Sequence, residues 1–141
     1  MKKRNIWKDI NPPLQLHEDE RGKITDVFYD ENINHVAVIN SKAGAERGNH
    51  YHKHSVQHIL VTKGVLEYWY KPLGSNSPAK FEILKEGDLA TSPPLEVHAF
   101  KMIEDNQFIV FTQGPRGGKD YQSDTYKTNS IIRNNNKNNK K

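Results

Sequence analysis

The chain has 141 residues, the size of one ordinary domain with a single core. It contains no cysteine, which excludes disulfides, thiolate metal sites and cysteine nucleophiles, so any metal must be held by His, carboxylate, amide or water. The formal net charge is +4, but seven basic residues lie in the ends, at 2–4 and 133–141, and residues 5–132 hold 14 basic and 17 acidic side chains, a net of −3. We therefore expect no specific nucleic-acid partner.

The N-terminal residues 1–13 are basic and proline-containing, and we expect them to form an arm outside the folded body. They lack the apolar stretch of a signal peptide, and no apolar run in the chain approaches the roughly 18 residues of a membrane span. These features predict a cytoplasmic protein without a membrane partner.

The chain from about residue 22 to 128 consists of short runs rich in β-branched and aromatic residues. Clusters of Gly, Pro, Asn, Asp and Ser separate them, as turns require. Eight strands are predicted, at residues 23–29, 35–40, 48–53, 58–64, 65–72, 79–87, 97–103 and 107–113. Short strands at this near-regular spacing predict an all-β sandwich or small barrel over residues 14–128.

Residues 129–141 form an Asn/Lys-rich tail that ends in "NNNKNNKK". This low-complexity composition offers nothing to bury in a core, so we expect the tail to be disordered.

Four of the seven histidines lie in "ERGNHYHKHSVQH", residues 46–58. A helix would align His50, His54 and His58 on one face, whereas a strand would align His50, His52 and His54. Gly48 before the cluster and the β-branched run "ILVT" after it favour the strand. In a barrel, His50 and His52 would then project into one cavity, within reach of a single ion. His54 and His58 are expected at the surface or flanking a strand.

The motifs Gly48–His50-x-His52–Gln57–Gly64 and Gly87–Pro93–His98 resemble the two motifs of the cupin superfamily. The resemblance implies a single-domain double-stranded β-helix, or jelly-roll barrel. It also implies that His50, His52, Gln57 and His98 are the positions of the metal ligands. Gln57 stands where the family usually has Glu, and Leu95 and Met102 replace the usual Gly and Asn of the second motif.

The stretches "RGNHYHK" and "HEDERGKI" are similar to cupins that modify nucleotide-linked sugars. These are the dTDP-4-dehydrorhamnose 3,5-epimerases, the dTDP-4-keto-6-deoxyglucose 3,4-ketoisomerases and the cupin domains of capsular-polysaccharide enzymes. The resemblance implies an isomerase or epimerase that removes and returns a proton beside the ketone of a 4-keto-6-deoxy nucleotide sugar. His50 maps to the epimerase base, while His52 agrees better with the ketoisomerases and capsular cupins.

Proton abstraction beside a carbonyl requires a base that titrates near neutrality, and an imidazole with a pKa of about 6.5 meets this need. The enolate oxygen also needs stabilisation. Hydrogen-bond donors can supply it with no cofactor, or one divalent ion (Zn, Mn, Fe or Ni) bound by the three histidines and Gln57 can supply it. The two options compete for the same histidines, because a coordinated His is poorly placed to act as base.

Substrate contacts are expected from aromatic and basic side chains near the motif. In "VLEYWYK" either Tyr68 and Tyr70 or Trp69 must line the cavity, because neighbours on a strand face opposite ways. Arg47 and Lys53 flank the histidines, and the resemblance supports Arg47 as a contact to phosphate or sugar. The stretch "GPRGGKDY" holds Arg116 and Lys119 among glycines whose backbone amides could approach a diphosphate, while a simple exposed loop accounts for these two residues equally well.

Two other functions are compatible with the motif: a metal-dependent cupin oxygenase, and a non-catalytic cupin that binds a sugar or metabolite. Gln57 argues against the oxygenase, because oxygen-activating sites profit from an anionic ligand. Small barrels often shield an edge strand with a second subunit, and the segment before residue 22 is suited to cross over, so we expect a homodimer.

Overall fold

The computed structural model describes residues 1–115 and 123–133, which fold into two facing five-stranded sheets and a small hairpin. In spatial order the first sheet contains β1 (Lys2–Asn5), β9 (Asp88–Ser92), β6 (Val56–Lys63), β11 (Asn106–Gln113) and β4 (His35–Ser41). The second contains β12 (Tyr126–Lys127), β5 (Glu46–Tyr51), β10 (Glu96–Met102), β7 (Val65–Pro72) and β8 (Lys80–Lys85). The hairpin pairs β2 (Leu16–Asp19) with β3 (Gly22–Thr25).

Every strand pair in the described residues is antiparallel, and none of these residues forms a helix. No helix in this part of the chain is therefore long and apolar enough to cross a membrane. The all-β jelly-roll prediction is confirmed.

The eight predicted strands all form, most within two residues of their expected bounds. The main exception is the first predicted strand, which was expected to reach residue 29 but ends at Thr25. Beyond it, Val27 and Phe28 pack against Ile6 and Leu60 on the outer face of the first sheet. Strand β9 was not predicted, because "DLATS" sits between turn-forming residues in the sequence.

Both ends of the chain contact the barrel more closely than the sequence suggests. Residues 2–5, expected in an arm, form β1 and extend the first sheet by pairing with β9. Ile131 and Ile132, expected in the tail, pack against Trp69 on the outer face of the second sheet, and the Arg133 guanidinium lies 5.3 Å from its ring centroid. Residues 134–141 lie outside the described residues.

The core lies between the sheets because alternate side chains of each strand point inward. It is apolar at one end, where ten buried residues form one cluster: Ile59, Val61, Leu66, Tyr68, Leu84, Ala90, Phe100, Met102, Phe108 and Val110. The same inward faces become polar toward the other end, where the histidines lie.

A β-bulge in β5 determines how the motif meets β10. His98 is opposite His50 and Ala99 is opposite Gly48, so Asn49 is an extra residue in the ladder. Gly48 and Asn49 both have positive φ, +86° and +57°. A Cβ on Gly48 would lie 2.9 Å from the carbonyl oxygen of His98, so this position requires glycine for both conformation and space.

We predict that Gly48→Ala destabilises the protein by about 2–4 kcal/mol, the sum of left-handed strain and a backbone clash. Gly74→Ala is the matched control, because Gly74 also has positive φ, +80°, but nothing lies within 4 Å of its Cβ position. The control should lose only about 1 kcal/mol. Urea unfolding of both variants measures these losses. Equal losses of unfolding free energy would show that the close approach of Gly48 to the His98 carbonyl does not require glycine.

Candidate functional site

One end of the barrel interior has a polar wall on the first sheet. Thr112, Gln57 and Ser92 form a row across β11, β6 and β9, because Gln57 pairs with both of the others. All three are at least 95% buried. Gln57 shares its strand face with the core residues Ile59 and Val61, so its side chain belongs to the inward face.

The facing wall, on the second sheet, carries the histidines. His50, His98 and Tyr70 form a row across β5, β10 and β7. His98 is fully buried and alternates with the core residue Phe100. The distant second motif therefore meets the first, as the resemblance implied.

His52 completes a cluster of three imidazoles. Ring centroids lie 4.7 Å apart for His50 and His98, 5.0 Å for His50 and His52, and 5.3 Å for His52 and His98. One ring nitrogen from each lies within 4.8 Å of the others. His52 and His98 are buried and His50 is partly exposed, so the cluster is reached from the side of His50.

The cluster fits a divalent metal ion. Imidazole nitrogens bind zinc at 2.0–2.1 Å, which separates the nitrogens of a tetrahedral site by about 3.4 Å. Nitrogens within 4.8 Å reach that separation by small side-chain rotations. Gln57 faces inward from the opposite wall, and the ligand set that the resemblance implies would add its neutral amide oxygen to the three imidazole nitrogens.

His52 is held in one tautomer by a residue that the sequence did not indicate. Its Nδ1 lies 2.7 Å from the carbonyl oxygen of Asp124. A carbonyl only accepts hydrogen bonds, so Nδ1 carries the proton, and Nε2 holds the lone pair of the neutral ring. Asp124 lies in a polar loop, and nothing in its local sequence distinguishes it from a surface aspartate.

Of the aromatic candidates, the tyrosines line the interior and the tryptophan does not. Tyr68 is fully buried among the core residues, and Tyr70 is half-buried next to them. Trp69 faces outward and stacks on Phe81 at 4.5 Å. The Tyr68 hydroxyl hydrogen bonds to the Ser92 hydroxyl, which links the two walls.

Burial raises the pKa of Tyr68 well above its usual value of 10.0, and the charge of Glu96 and the neighbouring Tyr70 raise it further. The pKa of Tyr70 is also raised, first by burial and then by Glu82 and Glu96. Both phenols therefore remain protonated at neutral pH, as a proton donor must.

A second acid missed by the sequence reasoning is Glu96, on β10 two residues before His98. It is 9% exposed, and its carboxylate accepts a hydrogen bond of 2.7 Å from the α-ammonium group of Met1. The Met1 side chain packs against the apolar core cluster. Because Glu96 lies two residues before His98 on β10, this buried ion pair is next to the row of residues that contains His98.

The basic side chains expected to contact substrate have other partners. Arg47 is exposed and donates through Nε to the Ser41 hydroxyl, at 2.8 Å. Lys53 is exposed, and its ammonium group lies 4.5 Å from the ring centroid of Tyr126. Arg116 and Lys119 lie outside the described residues.

The two remaining histidines of the motif lie apart from the cluster. His54 is exposed, as expected. His58 is 8% exposed and lies within β6, so the expectation that it lies at the surface or flanks a strand is wrong. It faces the outside of the first sheet, beneath Phe28, and hydrogen bonds to Thr91 at 2.7 Å and Gln113 at 2.9 Å.

Leu95 shows why glycine is usual at this point of the second motif. Its φ is +65°, a left-handed conformation that a branched side chain adopts at a cost of about 1–2 kcal/mol. Its backbone N–H donates to the His52 carbonyl oxygen at 2.7 Å, so this turn also contacts the histidine segment.

Two facing antiparallel sheets with a histidine cluster at one end of their interior define a cupin-type jelly roll. A family model described as "Polysaccharide biosynthesis C-terminal domain" matches residues 17–126. The chain belongs to this family. No curated protein matches the chain in sequence.

Solved structures with the same fold include an epimerase, a sugar ketoisomerase and a capsular polysaccharide assembling protein. The dTDP-4-dehydrorhamnose 3,5-epimerase of Sulfolobus tokodaii has TM-score 0.63 and 22% identity over 84% of this chain and 76% of that one. QdtA, a sugar 3,4-ketoisomerase from Thermoanaerobacterium thermosaccharolyticum in complex with TDP, has TM-score 0.66 and 17% identity over 82% and 85%. The capsular polysaccharide assembling protein CapF of Staphylococcus aureus has TM-score 0.60 and 22% identity over 82% of this chain but only 34% of CapF.

The raised pKa of Tyr68 predicts a loss of stability at alkaline pH. Above about pH 10 the unfolded chain loses the phenol proton while the folded protein keeps it, so the free energy of unfolding falls as pH rises. Tyr68→Phe should remove part of this fall above about pH 10, although loss of the Ser92 hydrogen bond costs about 1 kcal/mol at every pH.

Tyr29→Phe is the control, because Tyr29 is 63% exposed. Its dependence on pH should match that of the wild type in chemical unfolding experiments. If the free energy of unfolding of Tyr68→Phe falls at alkaline pH as much as that of the wild type, Tyr68 does not cause the fall.

Proposed function

We propose that the protein is an isomerase or epimerase of a 4-keto-6-deoxy nucleotide sugar, and that it moves a proton beside the ketone. The observation that carries the proposal is the cluster of His50, His52 and His98 at the accessible end of a cupin-type barrel. Membership of a polysaccharide-biosynthesis family and the likeness in fold to an epimerase and a ketoisomerase of nucleotide sugars support it.

The catalytic residues in this proposal are His50 and His52. A neutral imidazole removes the proton beside the ketone, and His50, the most accessible of the three rings, is the first to meet a sugar. His52 presents Nε2 with its lone pair, because Nδ1–H donates to the Asp124 carbonyl oxygen. Tyr70, half-buried and protonated at neutral pH, is placed to return a proton.

A divalent ion, if bound, would be held by His50, His52, His98 and Gln57, and would act as a Lewis acid toward the ketone oxygen. His98 is fully buried, so in this proposal it orients or binds and does not exchange protons with solvent. The two forms differ in which group serves as base, because a coordinated imidazole cannot accept the substrate proton.

The nucleotide part of the substrate is assigned to the basic residues around the motif. Arg47, Lys53 and Arg116 are the candidates for the diphosphate, with Tyr70 on the sugar side. Tyr68, also expected to contact substrate, is fully buried in the core and presents no surface to a sugar. Arg47 and Lys53 are exposed, which suits contact with a charged group that remains partly solvated.

The proposal predicts solvent deuterium in the sugar. The protein is incubated in heavy water with dTDP-4-keto-6-deoxyglucose, with and without a chelator, and NMR follows the ring carbons next to the ketone. His50→Gln should lower the exchange rate by roughly 10²–10⁴-fold, the usual contribution of a general base. Exchange that survives chelation would assign the chemistry to the histidines, and exchange abolished by it would assign a metal.

His54→Gln is the matched control, since His54 is an exposed histidine of the same segment outside the cluster. It should exchange at the wild-type rate. The absence of deuterium at every ring carbon, for each 4-keto-6-deoxy nucleotide sugar tried, would overturn the proposal. Sugar binding that persists in that case would indicate a binding protein instead.

A homodimer is part of the proposal. Strand β4 is an edge strand, and it carries no Lys, Arg, Asp or Glu to deter pairing. Val36 and Val38 are 56% and 60% exposed on its outer face. β8, at the edge of the other sheet, has Lys80, Glu82 and Lys85 instead. β4 is therefore the edge that a second copy would cover.

Val38→Lys should convert a dimer into a monomer, because the interface would have to bury an unpaired charge. Ile83→Lys on β8 is the control, at a residue that is 44% exposed, and should leave the dimer intact. Sedimentation velocity at micromolar concentration measures both. A wild-type monomer under these conditions would contradict the proposed dimer.

A further inference from the structure

The loop that follows β5 is tied to the C-terminal segment by one buried carboxylate. Asp124 is 2% exposed. Its Oδ1 accepts a hydrogen bond of 2.9 Å from the backbone N–H of Lys53, and its Oδ2 accepts bonds of 2.8 Å from the N–H groups of His54 and Ser55. Three consecutive amides thus converge on one side chain.

These bonds compensate for burying the charge. Burial alone would raise the pKa of Asp124, but the hydrogen bonds that its carboxylate accepts from the three backbone amides outweigh burial and lower it. The carboxylate therefore stays ionised at neutral pH and keeps all of its acceptor capacity. An ionised acceptor makes stronger hydrogen bonds to amides than a neutral one.

The backbone of the same residue orients His52. The carbonyl oxygen of Asp124 accepts the Nδ1–H of His52 at 2.7 Å, so residue 124 contacts both the imidazole and the loop that follows it. Strand β12 continues directly from this point, and Tyr126 and Lys127 pair with Tyr51 and His50. The carboxylate thereby fixes the position from which the carbonyl reaches the ring.

We propose that Asp124 is a positioning residue for the histidine cluster: its carboxylate anchors residues 53–55, so that its carbonyl holds His52 with Nδ1 protonated and Nε2 as the lone-pair nitrogen. This inference rests on the proposed function in giving His52 a role in the site. The residue acts through His52 and does not itself touch the reacting atoms. The C-terminal segment is accordingly part of the site.

The tautomer of His52 is the direct test, and it needs no substrate. Two-bond ¹H–¹⁵N NMR spectra at about pH 8.5, where free imidazoles are neutral, show which ring nitrogen bears the proton. Wild-type His52 should show a protonated Nδ1. A wild-type His52 that is protonated at Nε2 would overturn the proposal without any variant.

Asp124→Ala removes the three amide bonds and should shift His52 toward the Nε2–H tautomer that free imidazole prefers. Asp124→Asn keeps the size of the side chain but replaces one acceptor oxygen with a donor, and should give a partial shift. Asp105→Ala is the control, because the Asp105 carboxylate also accepts a backbone N–H, that of Ala43 at 2.8 Å, but outside the cluster. It should leave the tautomer unchanged.

Circular dichroism and the NMR signals of core residues identify variants that remain folded. If Asp124→Ala is folded and His52 keeps the wild-type tautomer, Asp124 only anchors the loop and the proposal is overturned.

A zinc titration gives a second readout. With Zn²⁺ alone as the probe, Asp124→Ala should lower the affinity by roughly 10–100-fold, the usual effect of removing support from a ligating histidine, and Asp105→Ala should not.

The positioning role of Asp124 and the proposed enzymatic function can be tested independently. A protein that does not exchange deuterium into any sugar, but whose His52 tautomer depends on Asp124, would retain the positioning role and lose the enzymatic one. If exchange occurs, Asp124→Ala should lower kcat more than it changes KM, because substrate contacts remain while the imidazole is misoriented.

Discussion

The candidate site depends on the pairing of β5 with β10 across a one-residue bulge. Without the bulge, His50 would lie opposite a different residue of β10, since a slip of one position reverses every side chain of a strand. Gly48 allows the backbones to approach, and Asn49 takes up the extra residue. His50 and His98, which are 48 positions apart in the chain, thereby lie with their ring centroids 4.7 Å apart. Position 48 of the motif requires glycine because a Cβ there would clash with the backbone of His98.

Strand alternation explains why so much of this arrangement was predictable. Period-2 patterns predicted eight strands, and the same rule placed His50 and His52 together and His98 on an inward face. Alternation left open whether tyrosines or Trp69 faced inward, because both choices were apolar enough for a core. The structure decides for the tyrosines, since Trp69 has the C-terminal Ile131 and Ile132 to cover it.

The features that sequence reasoning missed are long-range contacts without a local pattern. Asp124 reaches amides about seventy residues away in the chain, and Glu96 pairs with the α-ammonium group of Met1. His58 resembled its neighbours in the motif, yet the alternation of β6 puts it on the face opposite Gln57, under Phe28. Such contacts depend on how loops and termini cover the sheets, which neither periodicity nor turn chemistry determines.

The charge of the site follows from the same contacts. Gln57 is neutral where cupins usually have a carboxylate. Two buried acids beside the site are engaged elsewhere: Glu96 with an ammonium group and Asp124 with three amides. Neither acid contributes a ligand atom to the cluster of His50, His52 and His98. An ion bound here would keep its full positive charge, and without an ion the imidazoles would face protonated phenols. Either state would suit the enolate of the proposed reaction, because no carboxylate of the described residues belongs to the cluster.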